Sequence, residues 1–465
     1  MSIESNPAVN GAQRSAEMPG HVHPSGSGNS AATPVAPKTD PETAITPRRK
    51  VRVLFLNDTA RNGGPGRSLY TILRFLDPRL VHRTVVLPRE GVIAELLSGR
   101  GRDAEAAPVF EDMLFVPNLV ENPIEPWTRA ITREDFRAPA ALRGARLVGN
   151  IARGAASLAE LSSIVRRGQY DLIYCNGTNA DFAGGAVAWL TGVPALWHVR
   201  YTSLPKGIDR VHARLASSRG VRRIICVSKA AQALVPHVVH KTRIIHNALD
   251  IEEFAPGIKP CLRTELRLRE GTVIFGSHGR VLRRKGYVEM IRAAKIALDR
   301  MTAGERERAA FVVIGDTPQD LGTDHVAECK ALAVELGIKD KVFLLGFRAD
   351  VRPYVADFDV AIVPSVYEDA LPRAVIESMA LGKPVLAFAL GGVAEMLRDG
   401  ETGALVRGSP PDVDGLAAEM VRYLRDGELR KRHGQAGRTL IETGFDGPTH
   451  SRQIQNEIVR TAGLA

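Results

Sequence analysis

From Val51 onward, short β-branched runs alternate with amphipathic stretches, and the alternation stops and restarts once. That pattern restricts the chain to parallel strands joined by crossover helices in two successive units. The first predicted strands are 51–56, 84–87, 171–175, 194–199, 223–227 and 242–245; the second set is 273–276, 311–314, 342–345, 360–363 and 385–388. Between the sets, Asn247–Pro260 contains Pro256, Gly257 and Pro260, a linker composition. Two doubly wound α/β domains facing a cleft are the simplest architecture. Ligands of such sheets bind beyond the carboxyl ends of the strands, so the residues following each strand are the first candidates for chemistry.

Composition sets the partners. Residues 1–47 hold 24 Pro, Gly, Ser, Thr or Asn and no aromatic residue, too little apolar surface to offset chain ordering, and a disordered tail is expected. The tail carries a net charge of −2, leaving +12 on the body of a chain whose total is +10. Such a body favours anionic partners, nucleotide phosphates or lipid headgroups. The start has no basic segment followed by an apolar one, so no secretory signal is expected. The apolar stretch Phe182–Trp197 is interrupted by Gly184, Gly185, Gly192 and Pro194 and is too short for a spanning helix. Cys175, Cys226, Cys261 and Cys329 are far apart, with neither disulfide nor zinc-site spacing, and the cytoplasm is the expected compartment.

Four segments follow predicted strands. After the first comes Asn57-Asp58-Thr59-Ala60-Arg61-Asn62-Gly63-Gly64-Pro65-Gly66-Arg67-Ser68, leading into a helical face of Leu69, Ile72, Leu73 and Leu76. Its glycines would let backbone amides approach a phosphate at a helix N-terminus; it is neither a P-loop nor GxGxxG, and a plain strand-to-helix connection fits equally. After Val273 comes Gly279–Gly286, with four cations in six residues: Arg280, Arg283, Arg284 and Lys285. They suit a diphosphate or a solvated basic loop, and no aromatics are interleaved to stack nucleic-acid bases. His198 ends a strand in Trp197-His198-Val199-Arg200, where its imidazole would enter the cleft or serve the core.

The most informative stretch is Asp357–Gly403. A strand ends in a loop with Glu368 and Asp369, and a helix follows with Glu377. Eight helical residues rise about 12 Å, too far for an acid/base dyad, so the carboxylates would hold opposite ends of one long ligand. A cap at Asp369 with a surface Glu is the plainer alternative. Asp357-Phe358-Asp359 has the form of a metal-binding DxD but precedes its strand, away from the ligand-binding ends, and reads as packing.

In order along 273–406, GR…KG, VIGD, LLGF, VPS, the spaced acids, GKPV, GG…E and DG..G resemble glycosyltransferase family 4, the retaining enzymes of GT-B fold. The resemblance covers about residues 50–440. Beyond the compositional tail over 1–47, it implies an acceptor-side Rossmann-like domain over 48–247, a nucleotide-sugar domain over 248–440, and a final helix in 441–465 crossing back. It implies that Arg280 and Lys285 hold the donor diphosphate, that Gly63 and Gly64 cover the same phosphates, and that Glu377 bonds the ribose. Asp369 falls where the family's first Glu stands beside the donor sugar; the departure leaves that role to Asp369 or Glu368. His198 resembles the first-domain His that reaches toward the sugar, and Asn247-Ala248-Leu249-Asp250 resembles the family's NGVD linker. The implied reaction needs no metal or other cofactor, because cations and helix amides stabilise the leaving group.

The implied partners are a nucleoside-diphosphate sugar (UDP or GDP) and a glycan or lipid-linked acceptor in surface polysaccharide synthesis, with no nucleic acid. Trp127–Arg167 carries eight Arg against three acids, interleaved with apolar residues; it suits peripheral contact with anionic membrane or an ordinary solvated helix. A nucleotide-sugar epimerase and a degenerate, binding-only GT-B protein are the competing readings.

Overall fold

A computed structural model describes residues 43–61, 63–100, 107–117, 119, 140–204, 207–255, 257–318 and 323–465. The first alternation forms β1 (Val51–Asn57), β2 (Val81–Leu87), β3 (Asp112–Phe115), β4 (Leu172–Asn176), β5 (Ala195–Val199), β6 (Val221–Cys226) and β7 (Thr242–Ile244). The second forms β8 (Val273–His278), β9 (Ala309–Ile314), β10 (Val342–Leu344), β11 (Val360–Val363), β12 (Val385–Phe388) and β13 (Gly403–Val406). The sheet orders are β3-β2-β1-β4-β5-β6-β7 and β10-β9-β8-β11-β12-β13, parallel throughout. Helices cover both faces, so β4, β5, β8, β9, β11 and β12 are buried at every residue and read as continuous apolar runs.

Two strands lack a predicted counterpart. β3 is an edge strand whose residues are exposed or half-buried, without the apolar density that marks its neighbours. β13 begins in Gly403, the last residue of the DG..G motif, and no strand is predicted from there. Strand β2 also starts three residues earlier than predicted, because Val81-His82-Arg83 pairs with Val51-Arg52-Val53 despite its polar residues.

The helices that matter for the site are α1 (Gly64–Phe75), α2 (Ala140–Gly168), α3 (Tyr287–Asp299), α4 (Arg373–Ala380), α5 (Gly427–Gly444) and α6 (Gly447–Ala462). Helix α5 packs on α4, whereas α6 leaves the second domain and lies against α1 and β4–β6, with Ile454, Ile458 and Val459 in the core of the first domain. The tail boundary needs correcting at its end. The Ile45 amide donates to Asn456 Oδ1 at 2.8 Å and Asn456 Nδ2 donates to the Thr43 carbonyl at 3.0 Å, so Thr43–Ile45 dock on α6; residues 1–42 lie outside the described residues. So do Trp127, Phe136 and the side chains of α2 before Gly149.

Each sheet reverses strand order once, between β1 and β4 and between β8 and β11. The ends beyond these points meet: Arg67 donates to the Ala349 carbonyl at 3.2 Å, Asn247 to Leu371 at 3.1 Å, and the Thr202 hydroxyl to Glu368. Topology thus places the switch points, where open sheets bind ligands, on one interdomain cleft.

Candidate active site

Strand β8 ends at His278, and the cationic loop turns through Arg283–Lys285 into α3. Gly286 sets that turn with φ +75°, and a Cβ there would stand 1.7 Å from the Pro364 carbonyl oxygen, so only glycine lets the loop lie on the end of β11. The loop then meets the segment after β11: Lys285 Nζ is hydrogen-bonded to Asp369 Oδ2, while Arg284 and Lys285 lie 4.9 and 5.5 Å from the Tyr367 ring centroid. Arg280 opens to solvent within the cleft, yet the surrounding protein and then Arg284 push its guanidinium below the usual value. Arg280, Lys285 and Asp369, 89 residues apart in sequence at the extremes, therefore form one cluster. Glu368 is exposed and its carboxylate makes no ion pair among the described residues; its carbonyl is the acceptor for Thr202.

Helix α4 starts later than the spacing argument assumed. Its cap is Pro372, without a side-chain hydrogen bond, so Asp369 is no helix cap and only the last turn before Glu377 is helical. No side chain caps the helix, and the free amides at Arg373 and Ala374, with Val375 bonded to the Pro372 carbonyl at 3.2 Å, leave positive potential beside the cationic cluster. Glu377 is 6% exposed, bonded to His278 Nε2 at 3.0 Å and Arg373 Nε at 2.9 Å. Burial alone would raise its pKa, but Arg373 and His278 outweigh that and hold the carboxyl well below the usual range.

The Asp369 loop is shaped from behind. Gly392 donates its amide to the Asp369 carbonyl at 2.8 Å, and a Cβ on Gly392 would come within 1.9 Å of the Ala370 oxygen. Gly392→Ala must push the carboxylate loop away from Lys285. The expected result is a loss of about 1–3 kcal/mol in stability and at least a tenfold drop in turnover, checked by thermal melting and by product release at saturating donor. Three residues on, Glu395 accepts from the Lys229 and Ala230 amides at 2.9 and 3.2 Å and from His246 at 3.3 Å, tying the two domains together.

On the first domain, Gly63 is extended (φ −172°), and a Cβ at Gly63 or Gly64 would meet nothing closer than 3.9 Å. The fold itself does not demand glycine there, and the open space lies over the cleft side of α4. His198 is the penultimate residue of β5 but is corrected in position: it is 2% exposed, on the sheet face covered by α6, within a small pocket lined by Ser68, Thr71, His246, Asn247 and His450. Strand alternation puts it beside Leu196 and under α6, and Arg200, two residues on, is the group nearer the surface. The Tyr174 hydroxyl is hydrogen-bonded to His198 Nδ1, and the Arg200 guanidinium, which has donors only, lies 3.1 Å from the same atom, so Nδ1 accepts and Nε2 carries the proton, with no partner among the described residues. Burial, then Arg200, push the imidazole far below its usual pKa; His198 is a neutral donor, unsuited to act as a base at neutral pH.

Sequence reasoning missed Asn57, Asn176, Arg200 and Arg373. Asn176 Nδ2 donates to Asn57 Oδ1 at 2.6 Å across the β1/β4 switch point, and Arg200 Nε donates to Asn176 Oδ1 at 2.8 Å. Arg200 also reaches Asn247 Oδ1, while Arg373 lies 3.4 Å from the Ser68 hydroxyl and 3.3 Å from the Ala248 carbonyl. The strand-end rule applied to every strand would have found Asn57, Asn176 and Arg200. Arg373 carries no local signal. Asp357 and Asp359 bind Arg263, and Asp359 accepts the Ile274 amide at 2.8 Å, a packing role. Among the described residues no cluster of His, Cys, Asp and Glu fits a metal ion, and no helix is long and apolar enough to cross a membrane.

Two facing Rossmann-like domains with a cationic interdomain cleft define the GT-B class. The model for glycosyl transferases group 1 matches residues 259–440, and that for glycosyltransferase family 4 matches residues 62–253. The chain is 24% identical over 305 residues to the UDP-Gal:alpha-D-GlcNAc-diphosphoundecaprenol alpha-1,3-galactosyltransferase of Escherichia coli, covering 62% of this chain and 75% of that one. It is 32% identical over 200 residues to the D-inositol 3-phosphate glycosyltransferase of Kribbella flavida, covering 42% of this chain and 46% of that relative, less than half its length. The structure of Anabaena Alr3699/HepE in complex with UDP has the same fold, with a TM-score of 0.67 and 22% identity over 87% of this chain and 98% of that one. The chain belongs to the group 1 and family 4 glycosyltransferases of GT-B fold.

Proposed function

We propose that this glycosyltransferase moves a sugar, with retention of anomeric configuration, from a UDP- or GDP-sugar to a glycan or lipid-linked acceptor in surface polysaccharide synthesis. The observation that carries the reading is the pairing of Lys285 with Asp369 ahead of the uncapped start of α4, with Arg280 on the same cationic loop and the buried Glu377 beside them. Arg280 and Lys285 hold the diphosphate once Lys285 passes from Asp369 to phosphate oxygen. The bond from the anomeric carbon to phosphate oxygen breaks, its electron pair stays on phosphate, and these cations and the α4 amides stabilise the charge that develops. The acceptor hydroxyl attacks from the same face, and its proton passes to the departing phosphate. No side chain has to serve as the base, which agrees with a neutral His198. Glu377 keeps lone pairs free beyond its contacts to His278 and Arg373 and accepts the ribose hydroxyls. Asp369 or Glu368 faces the sugar.

Relatives support this direction: one is named for a UDP-Gal donor and a diphospholipid acceptor, and a solved neighbour holds UDP. We place the enzyme in the cytoplasm, with α2 suited to peripheral contact with anionic lipid; Ile151 there is 64% exposed near Arg153. The test is nucleoside diphosphate release from UDP-, GDP- and ADP-sugars in EDTA, with and without a membrane extract as acceptor source. Release from one donor, increased by the extract and unaffected by EDTA, is expected. A requirement for divalent metal, or silence across the panel in folded protein, would overturn the reading.

A further inference from the structure

Recessed cations along the interdomain seam are matched to carboxylates: Arg373 to Glu377, Lys285 to Asp369, and Arg74 to Asp250 and Glu253. Arg200 is the exception. Its Nε goes to Asn176 Oδ1, one terminal nitrogen to Asn247 Oδ1 and the other to His198 Nδ1, all neutral acceptors, and among the described residues it makes no ion pair. The buried carboxyl of Asp181 is raised well above its usual range by burial, and Tyr201 already takes its Oδ2 at 2.8 Å, so it offers little compensation. A recessed charge without a counter-ion is costly unless a ligand supplies one.

Its place says which ligand. Arg200 follows β5 and is held by Asn176, which with Asn57 spans the β1/β4 switch point of the first sheet. That point belongs to the first sheet, whereas Arg280 and Lys285 follow β8 in the second. Asn247 links the two regions, since its Oδ1 takes Arg200 and lies 3.3 Å from the Ser68 hydroxyl, while its Nδ2 donates to Leu371. Arg200 is thereby aimed by neutral groups that leave its charge unspent.

We infer that Arg200, fixed by Asn176 and Asn247, is an oxyanion subsite for the acceptor, which therefore carries a phosphoryl or carboxylate group. The inference rests on the donor reading above only in assigning the other anion site to the donor. The planar guanidinium suits either oxyanion. Burial brings Arg200 down to about 10, which leaves it cationic at neutral pH.

Inorganic phosphate, titrated by 31P line broadening into protein saturated with UDP, or with GDP where that is the nucleotide bound, is the test. Wild-type protein is expected to bind phosphate in the presence of UDP, Arg200→Gln to lose at least tenfold in affinity, and Arg200→Lys to recover part of it. UDP affinity of Arg200→Gln within threefold of wild type would show a folded variant with an intact donor clamp. Phosphate displaced by UDP, equal phosphate affinity in wild type and Arg200→Gln, or a UDP loss in Arg200→Gln as large as that in Arg280→Ala would each overturn the proposal. If wild-type protein binds neither UDP nor GDP, the donor reading fails, while the phosphate comparison between wild type and Arg200→Gln still decides the subsite.

Discussion

Arg280→Ala and Lys285→Ala are each expected to lower turnover by two decades or more while leaving the fold intact. A charge-assisted contact to a desolvated diphosphate contributes a few kcal/mol, and its value rises in the transition state as negative charge moves onto the leaving phosphate. Both residues sit on the outer turn of the β8–α3 loop, which is held by Gly286 against Pro364 and by backbone bonds from Gly279 to Ile314 and from Val281 to Asp316. Removing either side chain spares those supports. The variants should differ in their effect on Asp369: Lys285→Ala strands that carboxylate without its partner, so it also weakens binding of the bare nucleoside diphosphate through repulsion. Steady-state release assays with calorimetry on the nucleotide would separate the two. Near wild-type turnover in both variants would sink the donor assignment.

Glu377→Ala should be the most damaging single change to stability in the site, at about 3–5 kcal/mol, because it leaves the Arg373 charge buried without its anion. Nucleotide affinity should fall with it. The pH dependence follows from the direction of the shift. The folded carboxyl lies well below its unfolded value of 4.5, so its stabilising contribution is complete above about pH 4.5 and drains as pH falls toward the folded value. Urea denaturation from pH 3 to pH 7 should therefore show a fall in acid for the wild type that is reduced in Glu377→Gln. Parallel curves would show that Glu377 is not the group responsible.

The two-domain α/β arrangement was legible because parallel sheets covered on both faces demand continuous apolar runs, and runs such as Phe311-Val312-Val313-Ile314 have no other ready explanation. The edge strand β3 escaped because an edge needs no such density. In the site, Lys285, Asp369 and Glu377 could be singled out because each lies in the loop or helix that follows a strand, where the chain order is itself the signal. The environment of His198 was not legible. Its chemistry depends on Arg200, which settles the tautomer, and on α6, which arrives from the far end of the chain and closes over its face of the sheet.

The sequence by itself determined the two alternating units, the linker between them and the residue types at the strand ends, since these depend on local periodicity and on chain order. Only the tertiary structure decided which charges are matched. Lys285 meets Asp369, Glu377 meets both His278 and Arg373, and among the described residues Arg200 meets no carboxylate, because pairing is set by the folding of distant strand ends into one cleft. Electrostatic energy depends on separations of a few ångströms, which sequence spacing across a crossover connection does not encode.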